Sequence, residues 1–329
     1  MNEKINWRPG CDLAVLHLRA RLMRALRAFM DQRNILEVET PLLIRAANYD
    51  LNVQNILCQD ESADPRPLAL HSSPELFMKR LLAAGTGPIW QLCKVFRKGE
   101  QGSYHNPEFT MLEWYRPGMD VQGIADESLA LFQHIRESLG FAPLPVHRIS
   151  YREAFETVTG INPHHADAKT LAFWASKHEL NVHQPESLDR DQWLDLIMNE
   201  RVQTRFDANA YTVISEFPAS QAALACIRND EYGTPVAERI EIYQGALELA
   251  NGYYELTDPA EQRARFEYAA QQRRQNGQPE LVVDARFLAA LEHGLPDCAG
   301  LSVGIDRLLM TLTGETDIRR VLAFDFERL

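Results

Sequence analysis

The sequence predicts an α+β fold: an antiparallel sheet flanked by helices, with a helical insertion at about 150–206. Three features carry that prediction. Two stretches, Ile89 to Arg116 and Glu238 to Glu255, each read as a strand pair around a turn or loop. Segments 13–33 and 121–140 carry apolar residues at helical spacing. From 150 to 206 the chain is helical and polar, with tryptophans and leucines at core spacing.

The 329 residues are 45% hydrophobic and 24% charged, ordinary values for a globular chain that can bury a sizeable core. No repeat, low-complexity tract or Pro/Gly/Ser-rich linker divides them, so a single domain over 1–329 is expected. Cys11, Cys58, Cys93, Cys226 and Cys298 form no CxxC pair and are odd in number, which disfavours a disulfide framework or a zinc site. The start of the chain lacks the pattern of a secretory signal. No apolar run approaches the roughly 18 residues of a membrane helix. A cytoplasmic protein without a membrane partner is expected. Lys and Arg number 34 against 46 Asp and Glu, giving a net charge of -12. That balance disfavours extended tRNA or DNA contact, yet leaves the few arginines an ATP site needs.

In chain order, 13–33 places Leu13, Leu16, Leu18, Leu22, Leu26 and Phe29 against arginines on the other side. Asn34 to Thr40 alternates like a strand and stops at Pro41, which makes either an interface-like edge or an ordinary helix–strand unit. Asn48 to Pro67 reads as a weak hairpin with a polar tip at Gln59 to Pro67. Ser73 suits an N-cap with Pro74 at the first helical position, and Glu75 suits the helix dipole. Gly85 to Pro88 closes that helix and lacks the Lys-Ser/Thr of a P-loop. The adjacent His164 and His165 make a poor metal pair. Residues 258–278 read as a polar, solvated helix, and Asp284 to Glu292 as another.

The hairpin Ile89 to Arg116 is more informative. Its polar loop, Arg97 to Asn106, holds Arg97, Lys98, Glu100 and His105. On the returning strand, Phe109, Met111, Glu113 and Tyr115 share one face. An aromatic, a carboxylate and a phenol below an arginine loop suit a nucleotide and a cationic substrate; a plain hairpin with a solvated tip accounts for the same stretch. In the second hairpin, a turn at Gln244-Gly245 brings Glu241 and Glu248 together from neighbouring strands, where they could bind Mg²⁺. Asn251 and Glu255 add polar groups to an otherwise apolar run, and buried charge must be paired or ligated. In Gly300 to Met310, Gly300 and Gly304 suit close approach of a ligand, and Asp306 can cap the helix that begins there. Arg307 in the first turn opposes the dipole and wants an anion such as phosphate.

Together these segments resemble the three signature motifs of class II aminoacyl-tRNA synthetase catalytic domains. The helix–strand ending at Pro41 is similar to motif 1, FR…HNPEFTMLEWY to motif 2 and GLSVGIDRLLM to motif 3. SPELFMKRLL, HNPEFTMLEWY and ELANGYYEL resemble the lysyl branch, across essentially the whole chain and in the right order. Motif 1 falls within the first forty residues, so the N-terminal anticodon-binding barrel of lysyl-tRNA synthetases is not expected. The chain most resembles their short paralogues, the elongation factor P–(R)-β-lysine ligase family. That resemblance implies activation of (R)-β-lysine by ATP and its transfer to a lysine of translation elongation factor P.

The resemblance also implies roles. Arg97 would hold the α-phosphate and Arg307 the γ-phosphate, making these two the catalytic pair. Phe109 would stack on adenine, with Glu100, His105, Asn106, Glu248, Leu249 and Gly304 completing the ATP site. Glu241 and Glu248 would carry Mg²⁺. Ser73, Pro74, Glu75, Glu113, Tyr115, Asn251, Glu255 and Ser302 would surround the amino acid, and the segment around Pro41 would form a homodimer. Two departures stand out. Lysyl enzymes read Arg-Asn-Glu where this chain has Arg97-Lys98-Gly99-Glu100, and glycine where it has Ser302. Two other readings remain: a stand-alone lysyl-tRNA synthetase-like enzyme for α-lysine, and an inactive paralogue used as a binding module.

Overall fold

The computed structural model describes residues 7–45, 53–58, 68–180, 182–275, 277 and 283–329. The polar tip expected at 59–67 lies outside them. The strands that bracket it, β3 (Leu57–Cys58) and β4 (Leu68–Leu70), pair antiparallel, and β2 (Leu43–Ile44) joins β4 from the other side.

The main sheet is built on strands β5 (Ile89–Phe96), β6 (Glu108–Pro117), β8 (Tyr211–Pro218), β10 (Pro235–Gln244), β11 (Leu247–Tyr254) and β12 (Cys298–Gly304). They run β5-β6-β12-β11-β10-β8, every pair antiparallel. Each edge adds a parallel strand that an all-antiparallel expectation misses. β1 (Leu36–Glu37) lies beside β5, and β7 (Val146–Ser150) beside β8. Both pairs are joined by long connections, as parallel strands require. β9 (Ile227–Asn229) pairs with β10. The strand expected over Asn34 to Thr40 shrinks to β1, because Asn34 turns the chain at φ 52 and Pro41 lies beyond the pairing.

Helices α1 (Leu13–Gln32) and α3 (Val121–Leu139) cover one face. Leu22, Leu26 and Phe29 of α1 and Leu131, Phe132 and Ile135 of α3 pack with Leu112, Trp114, Ile240 and Val303. Each such side chain contributes about 1.5–3 kcal/mol by leaving water. Asp120 caps α3 by accepting from the Gly123 amide, and Gly140 ends it in the left-handed region. Since alternate strand residues face opposite ways, Leu112 and Trp114 in this core leave Glu113 and Tyr115 on the other face.

The insertion holds α4 (Tyr151–Thr159), α5 (Ala168–Lys177) and α6 (Arg190–Ile197). It has its own core of Tyr151, Phe155, Trp174, Trp193 and Ile197, seated on Ile214, Phe217 and Tyr243. Helices α2 (Glu75–Ala83), α7 (Pro259–Gln275) and α8 (Ala285–Gly294) form a third cluster. Helix α7 is not solvated all round: Phe266 and Ala269 are buried against that cluster, a pattern its polar composition hides. After β12 comes α9 (Ile305–Thr313).

Candidate active site

Pairing register aligns four polar residues across the face opposite α1 and α3. Ser302 pairs with Glu113 and with Asn251, and Asn251 pairs with Glu241, giving one row over β6, β12, β11 and β10. The next row is Tyr115, Gly300, Tyr253 and Arg239. At roughly 4.8 Å per strand, such a row spans about 14 Å, enough for an extended amino-acid adduct. The glycine at 300 serves the pocket's own side chains. A Cβ there would stand 2.3 Å from the Tyr115 ring and 2.4 Å from Glu255. At Gly304 a Cβ would meet nothing closer than 3.8 Å, so the space beside that glycine is open.

One end of the row is acidic. Glu113 accepts from the Tyr115 hydroxyl at 2.6 Å and from Ser73 Oγ at 2.8 Å. Ser73 Oγ also accepts from the Glu75 amide at 3.0 Å, so it acts as a partial cap, with Pro74 at the helix boundary. Lys79, absent from the residues expected here, is fully buried between Glu255 at 2.5 Å and Glu75 at 2.7 Å. Burial opposes its charge, but Glu255 and then Glu75 outweigh burial and hold it as an ammonium. Once all three carboxylates are ionised, one lysine leaves the pocket short of two positive charges, the number a diamino acid brings. Burial and then Glu75 push Glu113 up to about 7, although Tyr115, Ser73 and Lys79 oppose the shift.

The other end gathers cations. The Arg97 guanidinium lies 5.1 Å above the Phe109 ring and 3.6 Å from Glu100. Its Nε is buried with no hydrogen-bond acceptor among the described residues, a donor left for an anion. Arg307 projects from α9 between the loop and β11. It donates to the Glu248 carbonyl at 3.1 Å and to the Tyr104 carbonyl at 3.3 Å, and its Nη2 lies 2.8 Å from His105 Nε2. Arg307 can only donate, so His105 Nε2 is the acceptor here; burial and then Arg307 lower the pKa of His105. Two assigned side chains do other work. Asn106 donates to the Glu108 carbonyl at 2.7 Å and accepts from the Phe326 amide at 3.0 Å, which makes it a strut under the loop. The Leu249 side chain is in the core, leaving only its backbone to face a nucleotide. Asp306 is not a cap. It accepts from Arg19 of α1 at 2.5 Å and from the Thr110 amide at 2.7 Å, while Arg19 also donates to Thr110 Oγ1 at 2.7 Å. This buried link sets Phe109 on β6 against Arg307 on α9.

Glu241 and Glu248 lie on one sheet face, with Glu248 opposite Tyr243. Arg239 holds Glu241 at 2.5 Å and the Tyr243 hydroxyl donates to it, whereas Glu248 is more open. Burial pushes Glu241 up to about 7; Arg239 opposes this and Glu248 adds to it. A divalent ion would relieve that repulsion, and Mg²⁺ is commonly held by one or two carboxylates plus phosphate oxygens, so the pair fits. Among the described residues, no group of three or more His, Cys, Asp and Glu gathers as a metal cage. Asn251 accepts from Arg239 Nε at 3.3 Å, and its carbonyl accepts from Ser302 Oγ at 3.3 Å.

An antiparallel sheet bearing this row, an arginine loop and a strand–helix arginine has the build of a class II aminoacyl-tRNA synthetase catalytic domain. A family model described as tRNA synthetases class II (D, K and N) matches residues 7–328. Proteins named elongation factor P–(R)-β-lysine ligase are similar throughout. Those of Hamiltonella defensa subsp. Acyrthosiphon pisum (strain 5AT) and Klebsiella pneumoniae (strain 342) are 41% and 40% identical, each over 100% of both chains. That of Pseudoalteromonas translucida (strain TAC 125) is 42% identical over 98% of both. The chain belongs to the class II (D, K and N) synthetase family and, within it, to the group of elongation factor P–(R)-β-lysine ligases.

Proposed function

We propose that this chain activates (R)-β-lysine with ATP and transfers the β-lysyl group to a lysine side chain of translation elongation factor P. The observation that carries the reading is the three-carboxylate pocket, short of two positive charges, in register with the cationic nucleotide end. The substrate carboxylate attacks the α-phosphorus, the bond to the β-phosphate oxygen breaks, and pyrophosphate leaves. The amine of the acceptor lysine then attacks the carbonyl of the mixed anhydride, AMP departs with the bonding pair, and an amide forms. Arg97 spreads charge at the α-phosphate, Arg307 holds the γ-phosphate, and Phe109 stacks on adenine. Glu75, Glu113, Tyr115 and Glu255 receive the ammonium groups, while Ser302 narrows the space where lysyl enzymes have glycine. Mg²⁺ held by Glu241 and Glu248 neutralises triphosphate charge when bound. Orientation of two bound reactants supplies much of the rate, and no covalent enzyme intermediate is needed.

Exchange of labelled pyrophosphate into ATP tests the amino-acid assignment. (R)-β-lysine should support exchange far better than α-lysine; stronger exchange with α-lysine, together with tRNA charging, would replace this reading by a lysyl-tRNA synthetase. The pH dependence has a defined sign. Glu113 must lose its proton to receive an ammonium, and its pKa is raised to about 7. Acidification below that value should therefore raise KM for the amino acid by up to about tenfold per pH unit, and Glu113→Gln should flatten the profile while raising KM.

Within this reading the chain is one catalytic unit with the 150–206 helices inserted, working in the cytoplasm without extended tRNA contact. No helix among the described residues is long and apolar enough to cross a membrane. Leu13, Leu36, Leu42 and Leu43 are exposed on and after the motif 1 helix, a face that a second copy would cover. A monomeric sedimentation coefficient at working concentration would remove the homodimer.

A further inference from the structure

The helical insertion carries a surface cavity of about 320 Å³ that the proposed chemistry does not use. Lys177, Arg201 and Arg205 bring three cations to its wall, against the single carboxylate of Glu179. None of these cations pairs with a carboxylate among the described residues. Lys177 lies 5.7 Å over the Phe173 ring, and Arg201 donates to the carbonyls of Glu200 and His178 at 3.2 and 3.1 Å. Among the described residues, the Arg205 side chain has no polar partner. Unneutralised cations around one cavity run against the balance of a chain with net charge -12.

The backbone gathers them by two irregularities. Glu179 takes φ 56 just after α5 and turns the chain there. Helix α6 runs into a π-helical turn, Met198–Val202, then a 3₁₀ turn, Gln203–Arg205, which bring Arg201 and Arg205 to the same wall. Such π turns are frequent at functional sites. The platform is also tied to the catalytic row. Gln221 Nε2 donates to Asp195 of α6 at 2.8 Å, its carbonyl accepts from Arg239 at 3.0 Å, and Arg239 holds Glu241 at 2.5 Å.

Small-molecule sites enclose their ligands and present a few converging donors. Here Lys177 and Arg205 are exposed, and Phe173 beside them is 69% exposed. An open basic rim beside an exposed aromatic suits a protein surface. We propose that this basic cavity docks an acidic segment of the protein acceptor, an inference that rests on the protein-modifying function proposed above. Charge complementarity at such a rim acts mainly on encounter rate and salt dependence.

The two half-reactions separate the outcomes. Lys177→Glu with Arg205→Glu should raise KM for the factor at least about tenfold at low salt and abolish its rise with added salt. The alanine pair should lie between this variant and wild type, and pyrophosphate exchange without acceptor should be unchanged in both. An acceptor KM within twofold of wild type would overturn the inference, as would loss of exchange, because a docking surface has no part in the first half-reaction. Wild-type protein that exchanges pyrophosphate but never modifies the factor would remove the proposed function and this surface with it.

Discussion

Replacing Arg307 by alanine is expected to lower pyrophosphate exchange by about 10³-fold, the scale seen when one preorganised donor to transferring phosphate or an oxyanion is removed. Arg307 spends its donors on backbone carbonyls of Tyr104 and Glu248 and on His105, all of which can yield to phosphate. Its ion pair with Glu248 is long, at 3.5 Å, and partly solvated, so little stability rests on it. The variant should melt and sediment like wild type while losing adenylate formation. Retained exchange would take the phosphate role away from Arg307.

Lys79→Met should act on the fold. Wild type holds one buried cation between Glu255 and Glu75; methionine removes the charge and keeps most of the volume. Breaking a buried pair from one side costs about 3–5 kcal/mol, because the remaining charge is uncompensated. Urea unfolding above pH 8, where Glu255 is ionised, is the measurement. The loss should be largest above pH 8 and shrink as the pH falls: burial raises the pKa of Glu255 to about 8 in wild type although Lys79 opposes the shift, so without Lys79 its protonation relieves the orphaned carboxylate. A cost below about 1 kcal/mol above pH 8 would mean that the lysine is not holding the pocket together.

The parts of the site legible in the sequence were those set by local period. Alternation alone put Phe109, Glu113 and Tyr115 on one face, and β6 keeps Leu112 and Trp114 in the core opposite. The turn expected at Gln244-Gly245 falls one residue on, at Gly245-Ala246, because Gln244 pairs with Leu247, and Glu241 and Glu248 do lie on one face of adjoining strands. What depended on distant partners stayed hidden. Glu75 and Lys79 are spaced like a surface helix pair, and only Glu255, far along the chain, makes that lysine interior. Arg239 shares a face with Glu241 by period two, a signal the sequence itself carries. Asp306 suited a cap by position, but Arg19 on α1 claims it. Asn106 and Leu249 carried motif assignments that their side chains do not serve, since one is bound to backbone and the other packs in the core.

The central claim is that the acidic pocket and the arginine end join (R)-β-lysine to a protein. Intact mass of purified elongation factor P after incubation with the chain, ATP and (R)-β-lysine tests it most directly. A gain of one β-lysyl group, dependent on ATP and absent with Arg307→Ala, is the expected result. An unmodified factor, in a reaction where the same preparation charges tRNA with α-lysine, would contradict it.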